Sequence, residues 1–193
     1  MSSKSKLPVF VTGNPGKAKL FSEYVGLNID HAKLDVDEIQ ELDPKRLVEH
    51  KLRQAYQQVE RPVIVEDVTF SLESLDYRLP GPFIKFYIDS EKGLENFCRM
   101  VDGLDSRRAR AQTTYGYFDG ENIEFFVGEI YGEIAKQPII DGGFGFDPIF
   151  IVDGFDGKTA SQLNETEYKS FYKKVKPNKT DLTITWQRRE KLP

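Results

Sequence analysis

The sequence predicts an α/β fold built on a long mixed sheet, and three observations carry that expectation. Short apolar, β-branched runs at Leu7-Pro8-Val9-Phe10-Val11 and Val63-Ile64-Val65 have the character of buried parallel strands. Between them, Asp43-Pro44 pairs an N-cap residue with proline at the first helical position, and Val48, Leu52, Ala55 and Val59 follow at helical spacing. Further on, residues 110–118, then Asp119-Gly120, then residues 123–130 read as a hairpin turned at the Asp-Gly step. A hairpin beside parallel strands makes a mixed sheet more fitting than a purely parallel one.

In chain order, the first strand runs into Thr12-Gly13-Asn14-Pro15-Gly16-Lys17, which is dense in turn formers, and residues 18–25 read as a helix. Residues 29–36 are an ambiguous second strand. The helix opened by Asp43-Pro44 is predicted to end near Val59, and the strand from Val63 is expected to end directly in Glu66-Asp67. Leu79-Pro80-Gly81-Pro82 is a rigid turn, followed by residues 83–88 and a helix over residues 91–101. Gly142-Gly143-Phe144-Gly145-Phe146-Asp147-Pro148 is a glycine- and aromatic-rich loop leading into an apolar run over residues 149–152. Residues 165–174 read as a helix, and residues 182–187 fit either strand or helix. No repeat, low-complexity tract or linker interrupts the chain, so residues 1–193 are expected to form one domain or two merged lobes.

Composition narrows the class. With 39% hydrophobic and 12% aromatic residues the chain is not a disordered one. A chain of this length buries roughly 70% of its unfolded surface. No stretch approaches the ~20 apolar residues of a membrane helix. The polar start Met1-Ser2-Ser3-Lys4-Ser5-Lys6 lacks an apolar signal region. The single cysteine, Cys98, cannot form an internal disulfide, which fits a reducing cytosolic setting. A net charge of −4 argues against a general nucleic-acid binder but leaves room for a nucleotide held by a few lysines. The basic residues Lys169, Lys173, Lys174, Lys176 and Lys179 would suit a nucleic-acid module, yet such clusters more often form a solvated face.

Four segments carry chemistry. A strand-to-helix turn at residues 12–17 would offer free backbone N–H groups and the positive end of a helix dipole, with Asn14 and Lys17 adding donors and charge. The same residues would also serve an ordinary tight turn, and the spacing is not that of a Walker loop. Glu66-Asp67 at a strand end lie where open α/β sheets place ligands, although an acid after a strand is often only a solvated turn. Glu41, in the acidic stretch of residues 37–41, could complete a magnesium site of hard oxygen ligands. Lys51 on the helix and Lys85 within Phe83-Ile84-Lys85-Phe86-Tyr87 need an anion or a path to water. Phe144 between glycines is a natural platform for a base, and Asp147 could accept from a purine N–H; the bland alternative is a packed turn.

Those pieces, in that order, resemble the inosine triphosphatase, or Ham1-like, family of pyrophosphatases acting on non-standard purine nucleotides. The matching stretches are VTGNPGKAK, VIVEDVTFSLESL, LPGPFIKF and GGFGFDPIFIVDGFDGKTASQL, spread over residues 9–163. The resemblance implies an elongated mixed sheet with flanking helices and two lobes around a central nucleotide cleft, in a cytoplasmic homodimer. It implies Mg²⁺-dependent hydrolysis of ITP, dITP and XTP to the monophosphate and pyrophosphate. By position, Thr12, Asn14 and Lys17 resemble the phosphate-cradling loop, and Lys51 and Lys85 resemble lysines near the phosphates. Glu41 and Asp67 match acids that manage metal and water, Asp67 being the implied general base with Glu66 in support. Phe144 matches the base-stacking ring, and Asp147 belongs to the same loop. Neither a nucleic acid nor a membrane is implied as a partner. His31 and His50 lie outside every motif.

The chain also departs from the family. The usual Ser-His-Arg triplet is replaced by Tyr172-Lys173-Lys174, Tyr168 stands for an upstream lysine, and Leu20 stands where many members carry an acid. Lysine can donate to a carbonyl oxygen but lacks arginine's planar fork. The departures bear on base specificity more than on chemistry. A catalytically weak nucleotide-binding or sensing protein of the same fold is the alternative reading.

Overall fold

The computed structural model describes residues 7–190, with side chains as far as residue 185; residues 1–6, whose polarity entered the localisation argument, lie outside it. The elements are β1 (Val9–Val11), α1 (Pro15–Val25), β2 (His31–Ala32), α2 (Pro44–Val59), β3 (Val63–Leu72), β4 (Pro80–Gly81), α3 (Ile84–Ile88), α4 (Gly93–Val101), β5 (Arg108–Phe118), β6 (Ile123–Ile134), β7 (Phe150–Val152), α5 (Glu165–Val175) and α6 (Lys179–Glu190). The sheet has the order β2-β1-β3-β5-β6-β7, with β4 paired to β3. β1 runs parallel to both β2 and β3, whereas β3–β4 and β6–β7 are antiparallel, so the sheet is mixed as expected.

The chain forms two compact units, one of residues 1–67, 114–127 and 177–193, the other of residues 68–113 and 128–176. Strands β3, β5 and β6 contribute residues to both.

In the first unit, α2 forms because its apolar stripe recurs each turn and its start is chemically marked. The Asp43 carboxylate accepts the Lys45 N–H at 2.9 Å, and Pro44 occupies the first turn, where no donor is missed. Val48, Leu52 and Ala55 are fully buried against Val9, Val11, Val63 and Val65 of β1 and β3. Each large apolar side chain so buried is worth about 1.5–3 kcal/mol. On a second cluster, Phe10 stacks on Phe21 at 4.4 Å between ring centroids, with Tyr115 and Leu182 completing the packing. Leu182 belongs to α6, so the ambiguous segment 182–187 is helical.

The second unit is built around aromatic residues. Phe70 of β3 stacks on Phe146 at 4.3 Å and meets Phe150 edge-on at 5.1 Å. The run 83–88, continuous and apolar in sequence, contains the short helix α3 and leaves Phe86 exposed. Cys98 is buried and in no disulfide. Among the described residues no helix is long and apolar enough to cross a membrane.

Gly116 of β5 shows how closely α2 approaches the sheet. A Cβ there would collide with Val48 Cγ1 and lie 2.6 Å from Leu52 Cδ1. Both neighbours are fully buried and have no room to yield. Gly116→Ala should therefore lower unfolding free energy by about 1–3 kcal/mol, read as a lower denaturant midpoint at unchanged slope.

Candidate active site

The turn after β1 satisfies most of its own donors. Thr12 Oγ1 accepts the Asn14 N–H at 3.1 Å. Asn14 is the N-cap of α1, its Oδ1 accepting the N–H groups of Gly16 at 2.9 Å and Lys17 at 3.3 Å. Pro15 contributes no donor. The helix thus starts at Pro15, three residues earlier than expected, and the free N–H groups anticipated there are engaged by Asn14. What the turn still offers is the Lys17 side chain and the positive end of the α1 dipole.

Lys17 is held by Glu66, with Nζ 2.9 Å from Oε1 and the Glu66 side chain almost fully buried. Burial alone would lower the Lys17 ammonium, but Glu66, helped by Asp67 and Glu38, outweighs it and raises its pKa.

Glu66 and Asp67 do not end their strand. β3 continues to Leu72, because Phe70 and Ser71 pair with β4 after the parallel register with β1 stops at Val11↔Val65. The two acids therefore follow the last parallel pair rather than a strand terminus, beside the turn that β1 feeds. The expected strand end at Glu66-Asp67 is corrected: the strand runs on to Leu72.

Asp67 is the most constrained group of the site. Its side chain is 12% exposed and that of Lys51 11%, with Oδ1 3.2 Å from Lys51 Nζ. The other oxygen, Oδ2, is buried and has no hydrogen-bond partner among the described residues. Burial raises the Asp67 carboxyl, Lys51 and Lys17 oppose the shift, and Glu38 adds to it. Lys51 also donates to Glu38 Oε1 at 3.1 Å.

Glu38 was not singled out from sequence, although it lies in the acidic stretch that was. The residue chosen there, Glu41, faces elsewhere. Its Oε1 accepts the N–H groups of Leu42 at 2.7 Å and Asp43 at 2.9 Å, and its Oε2 is 3.7 Å from Arg46. These contacts, the Asp43 N–H first, hold its pKa below the ordinary value. Among the described residues no three acids, histidines or cysteines form a ready metal cage. His31 and His50 are structural: His31 Nε2 lies 3.0 Å from the Thr12 carbonyl, and His50 meets Gln54.

The remaining residues belong to the second unit. Lys85 on α3 is solvent-facing, 3.9 Å from Asp89. Phe144 is 68% exposed, the outward ring expected of it. Asp147 is buried, its Oδ2 accepting the Phe144 N–H at 2.8 Å, and burial pushes its pKa up to about 6. Tyr172, Lys173 and Lys174 lie on α5. Lys174 Nζ stands 4.8 Å from the centre of the Phe155 ring, Lys173 is exposed, and Lys176 Nζ stands 5.0 Å from that of Tyr172. Lys176 is buried, with Nζ 3.3 Å from Thr113 Oγ1, so the basic tail is not wholly a solvated face. Tyr168 is pushed up to about 12, by burial first and Asp147 second.

Residues 8–176 match the Ham1 family. The chain belongs to that family. This Ham1 chain is 33% identical over 159 residues to the dITP/XTP pyrophosphatase of Thermococcus kodakarensis, covering 81% of this chain and 85% of the relative. It is 31% identical over 169 residues to inosine triphosphate pyrophosphatase 2 of Trypanosoma cruzi, covering 86% and 85%. Among solved structures, the Coxiella burnetii HAM1 protein superposes with a TM-score of 0.77 at 20% identity, over 94% of this chain and 99% of that one. The Staphylococcus aureus Ham1 protein gives 0.74 at 20% identity, over 95% and 98%. These likenesses establish the mixed α/β fold.

The buried pair makes a stability prediction for this Ham1 protein. The Asp67 carboxyl is held above its ordinary value, so its contribution to stability is present at low pH and is lost as pH rises through the folded pKa. Lys51 limits that loss. Lys51→Met should cost about 3 kcal/mol at pH 8 and less at pH 5, and adding Asp67→Asn should recover most of it, measured by chemical denaturation at both pH values.

Proposed function

We propose that this Ham1 chain is a nucleoside-triphosphate pyrophosphatase that hydrolyses non-standard purine nucleotides, ITP, dITP and XTP, to the monophosphate and pyrophosphate. The observation that carries the reading is Asp67: a buried carboxylate with one oxygen on Lys51 and the other without a partner among the described residues. The names of the relatives, dITP/XTP pyrophosphatase and inosine triphosphate pyrophosphatase, supply the substrate class.

Water attacks the α-phosphorus; a new P–O bond forms, the bridge to the β-phosphate breaks, and pyrophosphate leaves. Asp67 takes the water's proton, and its raised pKa brings it nearer the range in which a general base works at neutral pH. Lys17 and Lys51 are the charges for the phosphates, with Lys85 a further one, and Glu66 keeps Lys17 in place until substrate arrives. Thr12 and Asn14 shape the turn that aims the α1 dipole.

A divalent cation, Mg²⁺, fits this set: such sites use one or two carboxylates and are completed by substrate phosphates, and the free Asp67 Oδ2 is a hard ligand of that kind. Asp67 would hold it, and Glu41 would join it only on leaving its backbone partners Leu42 and Asp43. When bound, Mg²⁺ supplies charge neutralisation for the departing pyrophosphate. Phe144 is the ring assigned to stack on the base, with Asp147 in the same loop, and Tyr172, Lys173 and Lys174 are the residues assigned to read it. The chain works as a single-domain protein, in a cytoplasmic homodimer, on a small nucleotide, with neither nucleic acid nor membrane as partner.

Pyrophosphate release from ITP, XTP, dITP, dUTP and the four standard NTPs, with and without Mg²⁺, tests the reading. Metal-dependent preference for ITP and XTP is the expected outcome. A preference for another base would make Tyr172-Lys173-Lys174 a specificity switch, and no turnover on any nucleotide would leave a binding or sensing protein. Asp67→Asn should lower kcat by about 10²–10⁴-fold while nucleotide still binds, since it removes a general base and leaves the lysines.

A further inference from the structure

The loop that carries Phe144 is built largely on glycines. Gly142, Gly143 and Gly145 all take positive φ, 95°, 83° and 59°, where glycine is free and other residues are not. Its two phenylalanines are treated in opposite ways. Phe146 is anchored by its stack on Phe70, whereas Phe144 is turned out to solvent. What fastens the Phe144 end is the Asp147 side chain. Its Oδ2 accepts the Phe144 N–H at 2.8 Å while the Asp147 N–H donates to the Phe144 carbonyl at 3.1 Å. Packing reinforces the arrangement: a Cβ at Gly143 would lie 2.8 Å from Asp147 Cβ and 3.0 Å from Ser161 Cβ, so the loop sits directly on the carboxylate's stem.

We infer that Asp147 is a positioning residue, a clasp that holds the Phe144 ring in its outward pose and acts on a bound base only through that ring. The step from pose to base rests on the nucleotide reading above; the clasp itself does not. Asp147 is buried and its Oδ2 is already engaged, so it is poorly placed to read a purine N–H directly, as the sequence had suggested.

The clasp is sensitive to pH. Burial pushes the Asp147 carboxyl up to about 6, and among the described residues no cation offsets that shift. The groups packed around it are the Tyr168 phenol from α5, which stays neutral, and the short turn Ala160–Gln162, which carries no ionisable side chain. Helix α4, which also packs on this turn, buries Phe97, Cys98 and Val101 and keeps Glu95 and Arg99 exposed. Above about pH 6 the N–H of Phe144 therefore meets a carboxylate. Below it, it meets a neutral acid, and a charge-assisted hydrogen bond is roughly twice as strong as a neutral one.

Asp147→Asn separates the parts, because the amide keeps an acceptor of the same shape and cannot titrate. The first readout is amide exchange at Phe144 by NMR, referenced to the intrinsic rate at each pH. In the unmodified protein protection should fall about five-fold between pH 7.5 and pH 5, and in Asp147→Asn it should stay level. The second readout is the Kd for ITP in EDTA, where no hydrolysis intervenes. The triphosphate titrates identically with both proteins, so only the unmodified protein should show the additional weakening, again about five-fold, at low pH. Level protection in the unmodified protein, or an equal fall in both proteins, overturns the clasp. Protection that falls without any difference in Kd overturns its role in positioning the base. If ITP binds neither protein, the nucleotide reading and the positioning role both fail, and the amide readout still decides the clasp.

Discussion

A carboxylate taken out of water must find a cation or lose its charge, and the first unit is arranged around that constraint at Asp67. The strand that carries Asp67 is buried through Val63, Ile64 and Val65, so the acid leaves the interior with little access to water. Lys51 reaches it only because α2 lies flat on the same strands, and α2 lies flat because Val48, Leu52 and Ala55 fill that interface. Gly116 permits the approach by having no side chain to obstruct it. The helix whose apolar stripe packs the interior is therefore also the one that carries the ion pair to Asp67.

The second pair, Lys17 and Glu66, repeats the solution one residue earlier on the strand. Adjacent residues on a strand point to opposite faces, so Glu66 and Asp67 make their direct ion pairs with different lysines. Each has its own: Lys17 comes from the helix that follows β1, Lys51 from the helix that precedes β3. Glu38 then competes with Asp67 for Lys51 from the exposed side. Both lysines are thus held close to the acids, Lys17 on Glu66 and Lys51 on Asp67 and Glu38. The second unit solves a different problem, placing an apolar ring in water. Its exposure is possible because the neighbouring Phe146 is anchored in the aromatic core and the Asp147 side chain holds the Phe144 N–H.

Much of this was legible in the sequence, wherever the signal was local. Asp43-Pro44 marked the start of α2 and the spacing of its apolar residues marked its buried face, since both depend on contacts within a few residues. The hairpin turned near Asp119-Gly120 for the same reason: Asp119 Oδ1 accepts the N–H groups of Glu121 and Asn122. Asn14 was noticed as a polar residue in a turn, but its work is to cap α1. The length of β3 was not legible, because a strand continues or stops according to its neighbours, and β4 is a neighbour made by Pro80 and Gly81.

By itself the sequence determined the α/β class, the family, the acids after Val65, the lysines at 17 and 51 and the exposed ring at 144. Each is a matter of residue type and short-range spacing. Only the tertiary structure decided which acid of the 37–41 stretch meets Lys51, that Glu41 folds back on its own backbone, that Lys176 is buried against Thr113 and Tyr172, and that Asp147 faces Phe144. The physical reason is common to all four. Charged side chains of one type are interchangeable along a chain, and what distinguishes them is the depth and partner that folding assigns to each.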